Sequence, residues 1–151
     1  MKLAEALVLR ADIKRRMEQM KYRLNRNAKV QEGEKPAEDP QMLLSELERL
    51  SEEMVTYIQR INRTNCVVEL EDGFTLADAI ARRDMLAQKQ ESYRQLAQSA
   101  TMDQDYRTRS EIKYFSTVNV SQIQETADRL AREHRQLDVR IQEMNWKADL
   151  L

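Results

Sequence analysis

The sequence predicts a mainly all-α protein, an antiparallel four-helix or coiled-coil-like bundle, and three observations carry that expectation. Ile123, Ala127, Leu130, Leu137, Ile141, Met144, Ala148 and Leu151, with His134 set among them, recur at alternating spacings of four and three. That rhythm lays one narrow seam along a helix packed lengthwise against others. The 151 residues hold only two Gly and two Pro, too few for the turns of a sheet protein. Charged residues make up 34% and aromatics 5%, which suits long solvated helices with thin seams.

The elements follow in order. Helix one, about residues 2–28, has the seam Leu3, Ala6, Arg10, Ile13, Met17, Met20 and Leu24. Periodicity then stops, and Gly33, Pro36 and Pro40 punctuate an acidic loop. Asp39 and Pro40 open helix two, about residues 40–64. An Asp carboxylate accepts from the orphan amides of a first turn, and Pro has no amide there to lose. Leu43, Leu47, Leu50, Met54, Tyr57 and Ile61 form its seam.

Residues 66–70 are strand-like and meet a turn at Asp72-Gly73. Thr75, with Asp78 three residues on, is a variant capping box opening helix three, about residues 75–101. Its seam is more polar: Leu76, Ala79, Arg83, Leu86, Gln90, Tyr93, Ala97 and Ala100. Residues 111–118 read either as a strand completing a short two-stranded β ribbon with 66–70, or as an irregular loop. Asn119 or Ser121 caps helix four, about residues 119–150. The whole is read as a single helical domain, 1–151, whose short connections favour antiparallel neighbours.

Charge is uneven along the chain. Residues 1–30 carry nine basic and three acidic side chains, and residues 31–56 carry two and eight. Adjacent segments of opposite sign suit an antiparallel hairpin and quench one another's field. With a net charge of −1, no nucleic-acid or membrane partner is expected. No stretch approaches the roughly 20 apolar residues of a membrane-spanning helix, and mean hydropathy is −0.77. Glu5, Arg10 and Asp12 interrupt any secretory apolar run, and the lone Cys66 allows no intrachain disulfide. A cytoplasmic location is the expectation.

Chemistry-bearing motifs are sparse. One His and one Cys cannot ligate zinc, so no metal is assigned. Two glycines build neither a P-loop nor a dinucleotide fingerprint, so no cofactor is assigned and no catalytic residue is named. Arg10, Arg83, Gln90 and His134 form polar seam positions that would fix helix register. A seam arginine must find a carboxylate or open onto water. Candidate ligand-binding residues lie outside the seams or at their edge: Asn62, Arg63, Asn65, Arg82, Arg83, Asp84, Arg109, Glu111 and Lys113. Arg63, Arg82, Arg83, Arg107 and Arg109 could converge at one bundle end on a carboxylate or phosphate.

Several segments carry a family likeness. They are Leu3-Ala4-Glu5-Ala6-Leu7 with Leu9-Arg10-Ala11-Asp12, the run Asn25 to Glu34, and Ile61-Asn62-Arg63-Thr64-Asn65. Thr75-Leu76-Ala77-Asp78-Ala79 with Ala81-Arg82-Arg83-Asp84, Arg109-Ser110-Glu111-Ile112-Lys113 and Asn145-Trp146 complete the set. Together they resemble a family of small bacterial proteins labelled septicolysin. The resemblance implies a helical protein of unknown function, and the label implies a pore-forming toxin. The reading from the residues is a self-associating helical bundle, a homo-oligomer acting as a binding or scaffold protein rather than an enzyme. The alternatives are a ligand-binding protein or enzyme with an Arg-rich polar site, and a septicolysin-like membrane-active toxin.

Overall fold

Local chemistry sets where each helix begins. The computed structural model describes residues 1–101 and 114–151. Glu5 reaches back to the Lys2 amide (2.7 Å) as α1 (Leu3–Arg26) starts. Asp39 accepts from the Gln41 amide (2.9 Å), with Pro40 as the first residue of α2 (Pro40–Val67). α1 stops at Asn27, whose amide group donates to the Arg23 carbonyl (2.9 Å) while its oxygen accepts from the Glu38 amide (3.0 Å). One side chain thus caps the helix and folds the linker back.

The first of two compact units comprises Met1–Glu69 and Glu143–Leu151. Here α1 and α2 pack as an antiparallel hairpin, along which Arg16 pairs with Glu46 (3.0 Å) and Arg23 pairs with Glu38 of the linker. The opposite charges of the two segments meet as their signs require. Surface pairs of this kind contribute little each. Burial does more: Leu3, Ile13, Leu50 and Ile61 are nearly inaccessible, and each stabilises by about 1.5–3 kcal/mol.

The two chain ends close on α2. Lys2 and Asp149 form an antiparallel bridge, with Leu3 N–H donating to the Ala148 carbonyl (3.0 Å) and Leu150 N–H to the Met1 carbonyl (2.9 Å). Arg60 Nε donates to the Leu151 carbonyl (2.9 Å), and the buried Thr64 hydroxyl accepts from Leu151 N–H (3.0 Å).

The second unit spans Leu70–Gln142. At its start β1 (Glu69–Glu71) pairs with β2 (Phe74–Thr75) across Asp72-Gly73, where Gly73 takes φ +69°. The ribbon expected from the sequence is present, but its partner strand is Phe74–Thr75 rather than 111–118. Closing a two-residue turn costs far less entropy than closing a loop of some forty residues. Residues 114–118 carry no strand, and 111–113 lie outside the described residues. α2 also runs on to Val67, because Val68 N–H still reaches the Thr64 carbonyl (2.9 Å), so Cys66 and Val67 are helical.

α3 (Leu76–Ala100) opens on the expected box: Asp78 N–H donates to Thr75 Oγ1 (3.2 Å), and Thr75 N–H donates back to Asp78 (3.0 Å). α4 (Val120–Lys147) is capped by Asn119, which accepts from Gln122 N–H (3.2 Å). α3 and α4 run antiparallel, tied by Arg83 and Asp138 (3.2 Å). Among the described residues of this unit, Leu76, Ala79, Ala97, Ala127, Leu130, Leu137 and Ile141 are the buried apolar positions.

Candidate functional site

Two features stand out, one in each unit. In the first, α2 carries more apolar surface than one neighbour needs. Leu43, Leu50, Tyr57 and Ile61 lie on its inward arc, and Leu47 and Met54 are half-buried at the edge. Beyond that edge Leu44, Ser51 and Ile58 repeat every seven residues, with Val55 beside them, one line at 3.6 residues per turn. Leu44, Val55 and Ile58 are 41%, 52% and 39% exposed, so this second seam faces solvent.

In the second unit, α3, α4 and the ribbon border a groove of about 740 Å³, within the ordinary range for ligand sites, roughly 300–1,000 Å³. Arg82 and Leu86 stand on the α3 wall, and Glu133, Gln136, Leu137 and Arg140 on the α4 wall. Glu71 and Phe74 of the ribbon close one end, where Glu71 binds Arg140. Among the described residues neither Arg82 nor Glu133 has a salt-bridge partner in this structure.

The seam residues divide. Burial works against the Arg83 charge, yet hydrogen bonds to Asp84 (2.8 Å) and Asp138 (3.2 Å) outweigh it and raise the pKa. Arg83 and Asp84 therefore form a structural tie in which the guanidinium is already engaged. Arg10 is half-buried with no carboxylate partner among the described residues. His134 and Gln90 are half-buried, and Gln90 borders a smaller recess with Arg94 and Gln124.

The candidate ligand residues are split between the units. Asn62 and Arg63 are exposed and Asn65 half-buried on the last turns of α2, while Arg82, Arg83 and Asp84 share the second and third turns of α3. Arg107, Arg109, Glu111 and Lys113 lie outside the described residues. Among described residues no group of three His, Cys, Asp or Glu side chains could hold a metal. Sequence reasoning missed Glu71, Glu133, Gln136 and Arg140, which look like ordinary solvated helix charges until α3 and α4 are paired. It also missed the second seam of α2, although the seven-residue repeat of Leu44, Ser51 and Ile58 was a signal.

A family model described as a family of unknown function, DUF6847, matches residues 10–150. The chain belongs to this family. A crystal structure of a functionally unknown conserved protein from Corynebacterium diphtheriae is similar to it, with 47% sequence identity and a TM-score of 0.95. That match covers 100% of this chain and 99% of the other. No curated protein matches it. Neither similarity carries a toxin designation, and membership extends no activity to the chain.

Proposed function

We propose that the protein is a cytoplasmic, self-associating helical module that works by binding, and that the open seam of α2 is where copies meet. The single observation behind this reading is the line of exposed Leu44, Val55 and Ile58, with half-buried Ser51 among them, beside a seam already used by α1. The spacing is self-complementary. Two antiparallel α2 helices crossing at Ser51 set Leu44 against Ile58 of the second copy and Leu47 against Val55, the reciprocal pattern of a two-fold interface. Ser51, small and at the crossing, lets the backbones approach.

Native mass by light scattering behind size exclusion tests this. A dimer or larger assembly is expected at both low and high salt, since Glu48 and Glu52 bring like charges near the axis and salt screens their repulsion. Val55→Glu or Ile58→Glu should weaken it about a hundredfold or more, by burying an unpaired charge, with helicity unchanged. A wild-type monomer at all concentrations tested would sink the proposal.

The septicolysin resemblance points instead to membrane lysis. No helix among the described residues is long and apolar enough to cross a membrane. Dye release from liposomes of neutral and anionic composition would favour lysis over self-association as the working principle.

A further inference from the structure

The groove of the second unit has a charge pattern along its length. The Arg83–Asp138 tie fixes the register of α3 against α4, which puts Arg82 and Arg140 at one level. Glu71 pairs with Arg140, which leaves Arg82 as the lining cation of that end with no salt-bridge partner among the described residues. Glu133 lies seven residues before Arg140 on the same face of α4, two turns away, or about 10 Å along the axis. Leu86 and Leu137 lie between the two poles, and Gln136 offers an amide with both donors and acceptor.

We propose that this groove binds a short free peptide in extended form, its carboxylate on Arg82 and its α-ammonium on Glu133. An extended chain spans at most about 3.3–3.6 Å per residue, so three residues reach roughly 10 Å, the offset of Arg82 and Glu133 along the groove axis. The central side chain would rest on Leu86 and Leu137, and Gln136 would serve the peptide backbone. A simple anion fits less well, because Glu133 repels it. A simple cation would meet the Arg82 guanidinium at the other end. The proposal is independent of self-association through α2 and survives if that fails.

Titrating the full-length protein with alanyl-leucyl-alanine, read by saturation-transfer NMR and calorimetry, tests it. The unblocked tripeptide should bind, and N-acetylation or C-amidation should each weaken binding about tenfold, the scale of one partly exposed charge-assisted hydrogen bond. Arg82→Met should discriminate against the free carboxylate alone, so the amidated peptide should bind it and the wild type equally. Glu133→Gln should do the same for the acetylated peptide, as a chemical double-mutant cycle requires. Both residues are exposed, and unchanged circular dichroism would exclude misfolding. No binding at millimolar peptide would overturn the proposal. So would equal binding of the blocked peptides, or affinities indifferent to both substitutions.

Discussion

Replacing Thr64 by Val isolates what closes the chain ends on α2. Thr64 is fully buried; its hydroxyl donates to the Arg60 carbonyl (2.9 Å) and accepts from the Leu151 amide (3.0 Å). Val keeps the shape and the β-branch but removes both bonds. The Arg60 carbonyl is still served by its helical partner, so that loss is small. The Leu151 amide loses its acceptor, a cost of about 1–3 kcal/mol if water cannot replace it. Leu151 is 47% exposed, so water can partly do so, and the expected loss falls near 1 kcal/mol. For a chain of this size that lowers the melting midpoint by roughly 2–4 °C, measured by circular dichroism at fixed protein concentration. Thr64→Ser separates causes, because it keeps the acceptor and loses only the methyl group. Both variants should melt early, but only Val should speed hydrogen exchange at the Leu151 amide. Equal exchange in Val and Ser variants would refute the assignment of Thr64 as the tie.

Three further outcomes follow from named contacts. Thr75→Ala should cost about 1 kcal/mol in chemical denaturation and fray the first turn of α3, since it removes the hydroxyl that accepts from Asp78 N–H (3.2 Å) and donates to the Asp78 carboxylate (2.6 Å), leaving only the backbone half of the box. Acid should loosen α3: its Arg94 hydrogen bond, then that of Gln95, holds the Glu91 carboxyl down from 4.5 to about 2. The contribution is therefore complete above about pH 4.5 and is lost as pH falls through about 2, checked by carboxyl NMR titration. Glu38 is depressed chiefly by its hydrogen bond to Arg23 of α1, so the tie between α1 and the linker should weaken in the same direction; Glu46 is depressed chiefly by Arg49 of its own helix and to a smaller extent by Arg16 of α1. Arg83→Met should change stability by less than about 1 kcal/mol, because apolar packing replaces a half-buried ion pair whose two carboxylates can rehydrate. A loss of several kcal/mol by urea denaturation would show the pair to be indispensable.

The starts of α2, α3 and α4 were legible because caps are local: Asp39, Thr75 with Asp78, and Asn119 each act within three residues of themselves. The pairing of α1 with α2 was legible in sign, from blocks of opposite charge, but not in partner. Which carboxylate Arg23 takes depends on the loop that Asn27 folds back. The ribbon was half legible. Its first strand and its turn were read near their places, while its partner was sought far away although the cheaper closure lay two residues on.

The candidate site was least legible. Arg83 stood out because it broke an apolar seam, and it proved to be tied to Asp84 and Asp138. Arg82, one residue away and 100° around the helix, stands on the wall of the groove, and no one-dimensional pattern distinguishes the two. By itself the sequence determined the helical class, the positions of the helices and their caps, and the sign of the forces between α1 and α2. These depend on interactions within about four residues or on charge summed over a segment. Tertiary structure alone decided that Thr64 would be buried under Leu151, that Glu133 and Arg140 would face Arg82, and that one seam of α2 would stay open. Such contacts join residues fifty to ninety positions apart, and their partners are fixed by packing rather than by any property either residue carries alone.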